Sequence, residues 1–138
     1  MVTVDALVFA FADTGPLVLL VKRGSEPFKD QWAVPGGFVD MDEELHHAAV
    51  RELAEETGLT GVKLEQMHTF GTVGRDPRGR QITVCFLGIA ERGNTEVMGG
   101  DDASEAKWWG VSALPHPLAF DHAEVIAMGL AKVTARTA

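Results

Sequence analysis

Gly37–Leu59, GFVDMDEELHHAAVRELAEETGL, decides how the rest of the chain is read. It opens as a glycine turn and continues as one helix. At 3.6 residues per turn, Leu45, Ala49, Glu52 and Glu56 share a stripe, with Ala48 and Glu55 beside it. The stripe is apolar where the helix begins and acidic where it ends. Unpaired charge is costly to bury, and clustered carboxylates at a helix C-terminus also oppose the helix dipole. A bound cation resolves both conflicts, and three carboxylates offering hard oxygen suit Mg²⁺ or Mn²⁺. A solvated charged face with i,i+4 pairs accounts for Glu44, but it leaves the change along one stripe unexplained. His46 and His47 point away from that stripe, toward solvent.

At the head of the stretch, Gly36 and Gly37 permit either backbone angles barred to other residues or close backbone approach to a ligand. Asp40 and Glu43 have the spacing of a capping box, with Asp42 as the other N-cap candidate. The helix is expected over residues 43–57, with Gly58 as its natural C′ residue.

Outward from this helix, β-branched and aromatic runs predict strands over 2–11, 17–22, 31–34, 62–73 with a bend near Gly71, 81–90 and 106–111. A second helix is expected over 121–132, capped by Asp121 with Glu124 completing a box, and with Ile126, Leu130 and Val133 as its core stripe. The tail after Lys132 is expected to fray. The order is β-β-β-α-β-β-β-α, so a mixed sheet with helices on opposite faces buries both. Cys85 reads as a small core residue, and Trp32, Trp108 and Trp109 as packing or interface residues.

Composition narrows the partners. The chain has 138 residues, fitting one domain, with 46% hydrophobic residues and a net charge of -8. That charge argues against a nucleic-acid backbone or an anionic membrane as partner. One cysteine excludes an internal disulfide and fits a reducing compartment. No apolar run approaches ~20 residues, and Asp5 in a basic-poor N-terminus argues against a signal peptide. A cytoplasmic location is the expectation.

Gly37, then Glu43, then Arg51-Glu52-Leu53-Ala54-Glu55-Glu56-Thr57-Gly58-Leu59 resembles the signature of the Nudix hydrolases at every defined position. The surrounding strand order is similar to the Nudix α/β/α sandwich, so the resemblance spans nearly all of residues 1–138 as a single domain. It implies hydrolysis of a nucleoside diphosphate linked to another moiety, with Mg²⁺ or Mn²⁺, two or more ions per site, and no covalent intermediate. It assigns Glu52, Glu55, Glu56 and the Gly36 carbonyl to metal binding. Arg51 is expected to orient a glutamate, with Glu55 at i+4 within reach. Glu43 is expected to hold the loop–helix junction and to act only indirectly. Glu55 is one candidate general base. Asp101 and Asp102, in GGDDASEAKW, are the candidates from a later loop, with Glu105 and Glu96 behind them.

Outside the box, RGSEPFKDQWAVPGGFVD (23–40), FGTVGRDPRGR (70–80) and LAFDHAEVI (118–126) resemble bacterial ADP-ribose pyrophosphatases and the related ligand-sensing domains of NAD-metabolism regulators. On that resemblance Arg75, Arg78 and Arg80 grip phosphate or terminal ribose, while Phe28, Phe120 and His122 line an adenine or ribose pocket. The blander readings are a solvated arginine-rich tip, two core phenylalanines and an exposed histidine at the first helical position. The leading expectation is hydrolysis of a small-molecule nucleotide, ADP-ribose, to AMP and ribose 5-phosphate. The alternatives are a nucleoside triphosphate pyrophosphohydrolase that clears oxidised or unusual nucleotides, and a sensor that binds ADP-ribose without turnover. Sensors of that kind carry a DNA-binding winged helix after this domain and often lack the glutamates. An intact box, and a chain ending about where one domain ends, favour the enzyme. Messenger-RNA decapping is disfavoured by the acidic surface. A homodimer is expected, because many relatives pair and the N-terminal strand is apolar.

Overall fold

The computed structural model describes residues 1–91 and 103–137. Its elements are β1 (Val2–Ala12), β2 (Gly15–Arg23), β3 (Trp32–Ala33), β4 (Gly36–Phe38), α1 (Leu45–Thr57), β5 (Glu65–Phe70), β6 (Ile82–Ile89), β7 (Ala103–Gly110) and α2 (His122–Thr137). Among the described residues the strands form one seven-stranded sheet along the path β3-β2-β1-β6-β5, with β4 also paired to β1 and β7 to β2. The β1–β6 pair is parallel and the others are antiparallel, which makes the sheet mixed. No helix among the described residues is long and apolar enough to cross a membrane.

Strand alternation divides the core in two. From β1, Val4, Ala6, Val8 and Ala10 pack with Ala48, Ala49 and Leu53 of α1. Leu7 and Phe9 point the other way and pack with Val125, Ile126 and Val133 of α2. The two helices thus cover opposite faces, as the pattern predicts. Cys85 and the three tryptophans lie in or against these cores. Burial pushes the Cys85 thiol far above its ordinary value, which suits an inert core residue.

Several boundaries differ from the sequence reading, each for a physical reason. Gly36–Gly37 is not a turn but the start of β4. The Pro35 carbonyl accepts the Ala6 N–H at 2.8 Å, and the chain then pairs with β1 through Asp5↔Gly36, Val4↔Gly37 and Thr3↔Phe38. α1 begins at Leu45 rather than 43. Glu44 is the N-cap, without a side-chain capping bond, so neither Asp40 nor Asp42 caps the helix. Half of the expected box forms one turn earlier, where Glu43 Oε1 accepts the Asp40 N–H at 3.1 Å. The C-terminus is as expected: Gly58, at φ 77°, donates its N–H to the Ala54 carbonyl. β5 is shorter than the predicted strand, and its irregularity falls between Gln66 and His68 rather than at Gly71. α2 continues past Lys132 to Thr137, anchored by buried Val133. Asp121 stands just before α2, its carbonyl accepting the Glu124 and Val125 N–H groups, while its carboxylate is held by Arg75.

Gly88 shows how tightly the segment after α1 lies on β6. A Cβ there would stand 2.7 Å from the Lys63 carbonyl oxygen and 2.7 Å from Val62 Cγ1, whereas one at Gly110 would meet nothing within 4 Å. Gly88→Ala is therefore expected to lower stability by about 1–3 kcal/mol. Gly110→Ala should stay within about 0.5 kcal/mol of the parent. Urea unfolding of the two variants side by side measures the contrast.

Candidate active site

A cleft of about 340 Å³ opens where β1, β4, α1, the segment between β5 and β6, and the lead into α2 converge. Glu52, Glu55 and Glu56 reach it from the last turns of α1, and Gly36 and Gly37 from β4.

Arg51 organises the acidic wall. Its guanidinium forks onto Glu43, with Nε to Oε2 at 2.7 Å and Nη2 to Oε1 at 2.8 Å. Nη1 donates to Glu52 at 2.8 Å and to Glu55 at 3.2 Å, and Nη2 also reaches the Phe38 carbonyl at 3.1 Å. The expected Arg51–Glu55 pair is present, but Glu43 is the stronger partner. Glu43 thus does more than hold the junction: it fixes the arginine that touches two of the three glutamates. The Arg51 hydrogen bonds hold Glu43 down at about 2.

Glu56 is the most deeply set of the three. Burial pushes its carboxyl up to about 8; the Gly36 N–H bonded to Oε1 at 2.8 Å works against this, and the charges of Glu52 and Asp5 add to it. Neither Gly36 nor Gly37 has a positive φ, so close approach is what they supply. A Cβ on Gly36 would run into the Val4 carbonyl oxygen and Asp5, and one on Gly37 would sit 2.6 Å from the Glu52 carboxylate.

The opposite wall comes from the α2 face of the sheet. Asp5 on β1 is 6% exposed and His122 at the start of α2 is 5% exposed. His122 is therefore not the exposed residue its helix position suggested. Its Nδ1 accepts the Val34 N–H at 2.9 Å, and Nε2 stands 3.4 Å from Asp5 Oδ2. Arg75 is also sequestered: it pairs bidentately with Asp121 at 2.9 and 2.7 Å and donates to Thr83 Oγ1 at 2.6 Å. Burial opposes its charge, but the Asp121 bonds raise its pKa on balance. Arg78 lines the rim, bonded to Asp76 at 2.7 Å and lying 5.1 Å from the Phe38 ring centre and 5.5 Å from that of Phe120. Burial resists ionisation of Asp76, yet Arg78 holds its pKa below the ordinary value.

The other sequence candidates fall variously. Phe120 lines the cleft, whereas Phe28 stands edge-on behind it at 4.8 Å. Arg80 turns away to the Gly71 carbonyl and does not line the cleft. Asp101, Asp102 and Glu96 lie outside the described residues.

The NUDIX domain family matches residues 1–128. This chain belongs to the Nudix family. It is 42% identical over 109 residues to an ADP-ribose pyrophosphatase of Methanocaldococcus jannaschii, covering 79% of this chain and 63% of that protein. It is 36% identical over 142 residues to the ADPR responsive transcriptional repressor NtrR of Acinetobacter baylyi, covering 99% of this chain and 56% of the repressor. The chain therefore spans less than two thirds of either relative. Among solved structures, the NUDIX domain of Shewanella oneidensis NrtR complexed with ADP ribose superposes with a TM-score of 0.89 at 36% identity, covering 96% of this chain and 88% of that one.

Nudix hydrolases generally use divalent metal, and the acidic wall of this Nudix chain fits one. Burial and neighbouring charge push the Glu56 carboxyl up to about 8, and positive charge beside it would favour the ionised form. Glu52 and Glu55 contribute further hard oxygens beside it. Among the described residues no three such groups stand ready-made in coordinating geometry. Arg51 holds Glu52 and Glu55.

Asp5 is the site residue the sequence reading passed over. Its signal was there: one carboxylate inside the otherwise apolar strand VTVDALVFAF. Thr3, Thr83, Asp76 and Phe38 also line the cleft and carried no comparable local mark.

The Glu43–Arg51 fork makes a prediction about acid stability. Glu43 falls from 4.5 to about 2 on folding, so its contribution is complete above the unfolded value and disappears as pH falls through the folded one. Glu43→Gln should therefore be less stable than the parent at pH 7, and the gap should close between about pH 4.5 and pH 2. Urea midpoints of both proteins across that range provide the measurement.

Proposed function

We propose that the chain is a divalent-metal-dependent pyrophosphatase that hydrolyses ADP-ribose to AMP and ribose 5-phosphate. The observation that carries this reading is the complete glutamate set, Glu52, Glu55 and Glu56, gathered on one wall of a cleft lined opposite by polar and aromatic groups. The pyrophosphatase relative and the ADP-ribose-bound neighbour support the substrate.

In this reading Glu52, Glu55, Glu56 and the Gly36 carbonyl hold Mg²⁺ or Mn²⁺, two or more ions in all. The metal supplies positive charge against the diphosphate and lowers the pKa of water. Glu55, whose side chain is 41% exposed, accepts the proton of the attacking water as general base. Arg51 keeps Glu52 and Glu55 oriented, and Glu43 keeps Arg51 in place. At the rim, Arg78 meets the phosphate or ribose, and Phe120 flanks the nucleotide. Arg75, already neutralised by Asp121, serves as a wall rather than as a phosphate grip.

A second reading, a sensor that binds ADP-ribose without cleaving it, is favoured by one observation: the repressor relative aligns with 99% of this chain. The readings separate in one assay. Purified protein is supplied with Mg²⁺ or Mn²⁺ and a panel of ADP-ribose, NADH, sugar nucleotides, dinucleoside polyphosphates and triphosphates. AMP release fastest from ADP-ribose is expected, and Glu56→Gln should lower it by about 10²-fold or more without loss of fold. Tight binding of ADP-ribose with no AMP released by either metal would establish the sensor instead.

Gly37→Ala tests the metal wall from the other side. The new methyl displaces the Glu52 carboxylate, which is the mobile end of a side chain, so the urea midpoint should barely move. Mn²⁺ affinity, followed by electron paramagnetic resonance, should fall by about 10-fold or more.

A further inference from the structure

We propose that Asp5 is a specificity-determining residue that accepts hydrogen bonds from the vicinal hydroxyls of a ribose bound in the cleft. The inference rests on the ADP-ribose reading above and names the group on this chain that recognises the sugar.

The starting point is a carboxylate oxygen without a donor. Asp5 lines the cleft, yet its Oδ2 is buried and makes no hydrogen bond. A buried carboxylate left in that state is costly. The neighbouring imidazole does not relieve it. His122 Nδ1 accepts from the Val34 N–H, so the ring proton sits on Nε2, facing Asp5 but 3.4 Å away. His122 therefore steadies the carboxylate without satisfying it.

Strand parity keeps Asp5 apart from the metal wall. Thr3, Asp5, Leu7 and Phe9 share the α2 face of β1, while Val4 and Ala6 face α1. The Gly36 backbone, paired with Asp5, lies between that carboxylate and Glu56. On that side the cleft is lined by Thr3, Asp5, Arg75, Thr83 and His122.

The chemistry of that side selects its occupant. A phosphate would face the Asp5 charge, and the Arg75 guanidinium beside it is already matched by Asp121. A metal ion would face the Arg75 guanidinium and the Nε2–H of His122. A neutral hydroxyl meets neither objection, because it donates to Asp5 and accepts from a neighbouring N–H or O–H. The paired hydroxyls of Thr3 and Thr83, 2.6 Å apart, extend the polar surface for a second hydroxyl. ADP-ribose carries two riboses, and either one offers this group.

The test uses α,β-methylene ADP-ribose, which cannot be cleaved at the diphosphate, together with versions lacking one hydroxyl on the adenosine ribose or on the distal ribose. Affinities of the parent and Asp5→Asn are measured by calorimetry with Mg²⁺ present. Deletion of the hydroxyl that meets Asp5 should weaken binding to the parent by about 10- to 100-fold. Asp5→Asn should weaken the intact ligand by a similar factor and leave that deoxy ligand unaffected, and the arm showing this coupling names the ribose. Equal losses for every ligand, or no loss from any hydroxyl deletion in the parent, would overturn the assignment. The deoxy ligands test the parent itself, so the result stands even if the variant folds poorly. A parent that binds the methylene analogue but does not hydrolyse ADP-ribose removes only the enzymatic reading, and the same coupling still decides the site. A parent that binds no member of the set overturns both.

Discussion

One guanidinium makes the acidic wall compatible with a folded protein. Arg51 contacts Glu43, Glu52 and Glu55 as well as the Phe38 carbonyl. Its planar fork, with five donors and a permanent charge, suits such a cluster better than a lysine. The mutual repulsion of Glu52 and Glu55 near the helix C-terminus is offset locally by this one side chain. The same contacts tie the end of β4 to α1, so the loop entering the helix, the helix itself and the glycine strand behave as one unit.

The second constraint is steric. The backbone at Gly36 must pass close enough to donate to Glu56, and the backbone at Gly37 must leave room for the Glu52 carboxylate. Both residues adopt strand geometry, so the absence of a Cβ is what the site requires. A larger side chain at Gly36 would meet the β1 backbone, and one at Gly37 would displace the Glu52 carboxylate. Arg51 pulls the two elements together, and the glycines let them meet.

Much of this half of the molecule was legible in the sequence because its information is local. The apolar-to-acidic stripe, the Gly58 terminus and the box spacing all lie within one short stretch. What escaped reading was assembled over long separations. Asp121 has a good capping position, yet it serves Arg75, 46 residues away. His122 reads as a first-turn surface residue, yet it is buried against Val34, 88 residues away. At Asp40–Glu43 only the Glu43 half of the capping box forms, its carboxylate shared between the Asp40 N–H and Arg51, and the helix begins later, at Leu45. Local propensity ranks what a side chain does in isolation. A stronger charged partner brought in by the sheet overrides it.

The same contrast separates reaction from selectivity. The glutamate wall comes from one helix and one short strand, so a fixed spacing can encode it. The facing side draws Thr3 and Asp5 from β1, Thr83 from β6, Arg75 from the segment before β6 and His122 from α2. No spacing rule covers such a set, because its members arrive on several different elements. Its charges also resist a residue-by-residue reading. In RDPRGR, which looks like a phosphate grip, two of the arginines also pair with carboxylates of the same fold, Arg75 with Asp121 and Arg78 with Asp76. Asp5 looks like an interruption of a core strand, but in the assembled fold it is an acceptor whose buried oxygen has no donor. Which groups a ligand meets is defined only after every long-range pair has formed.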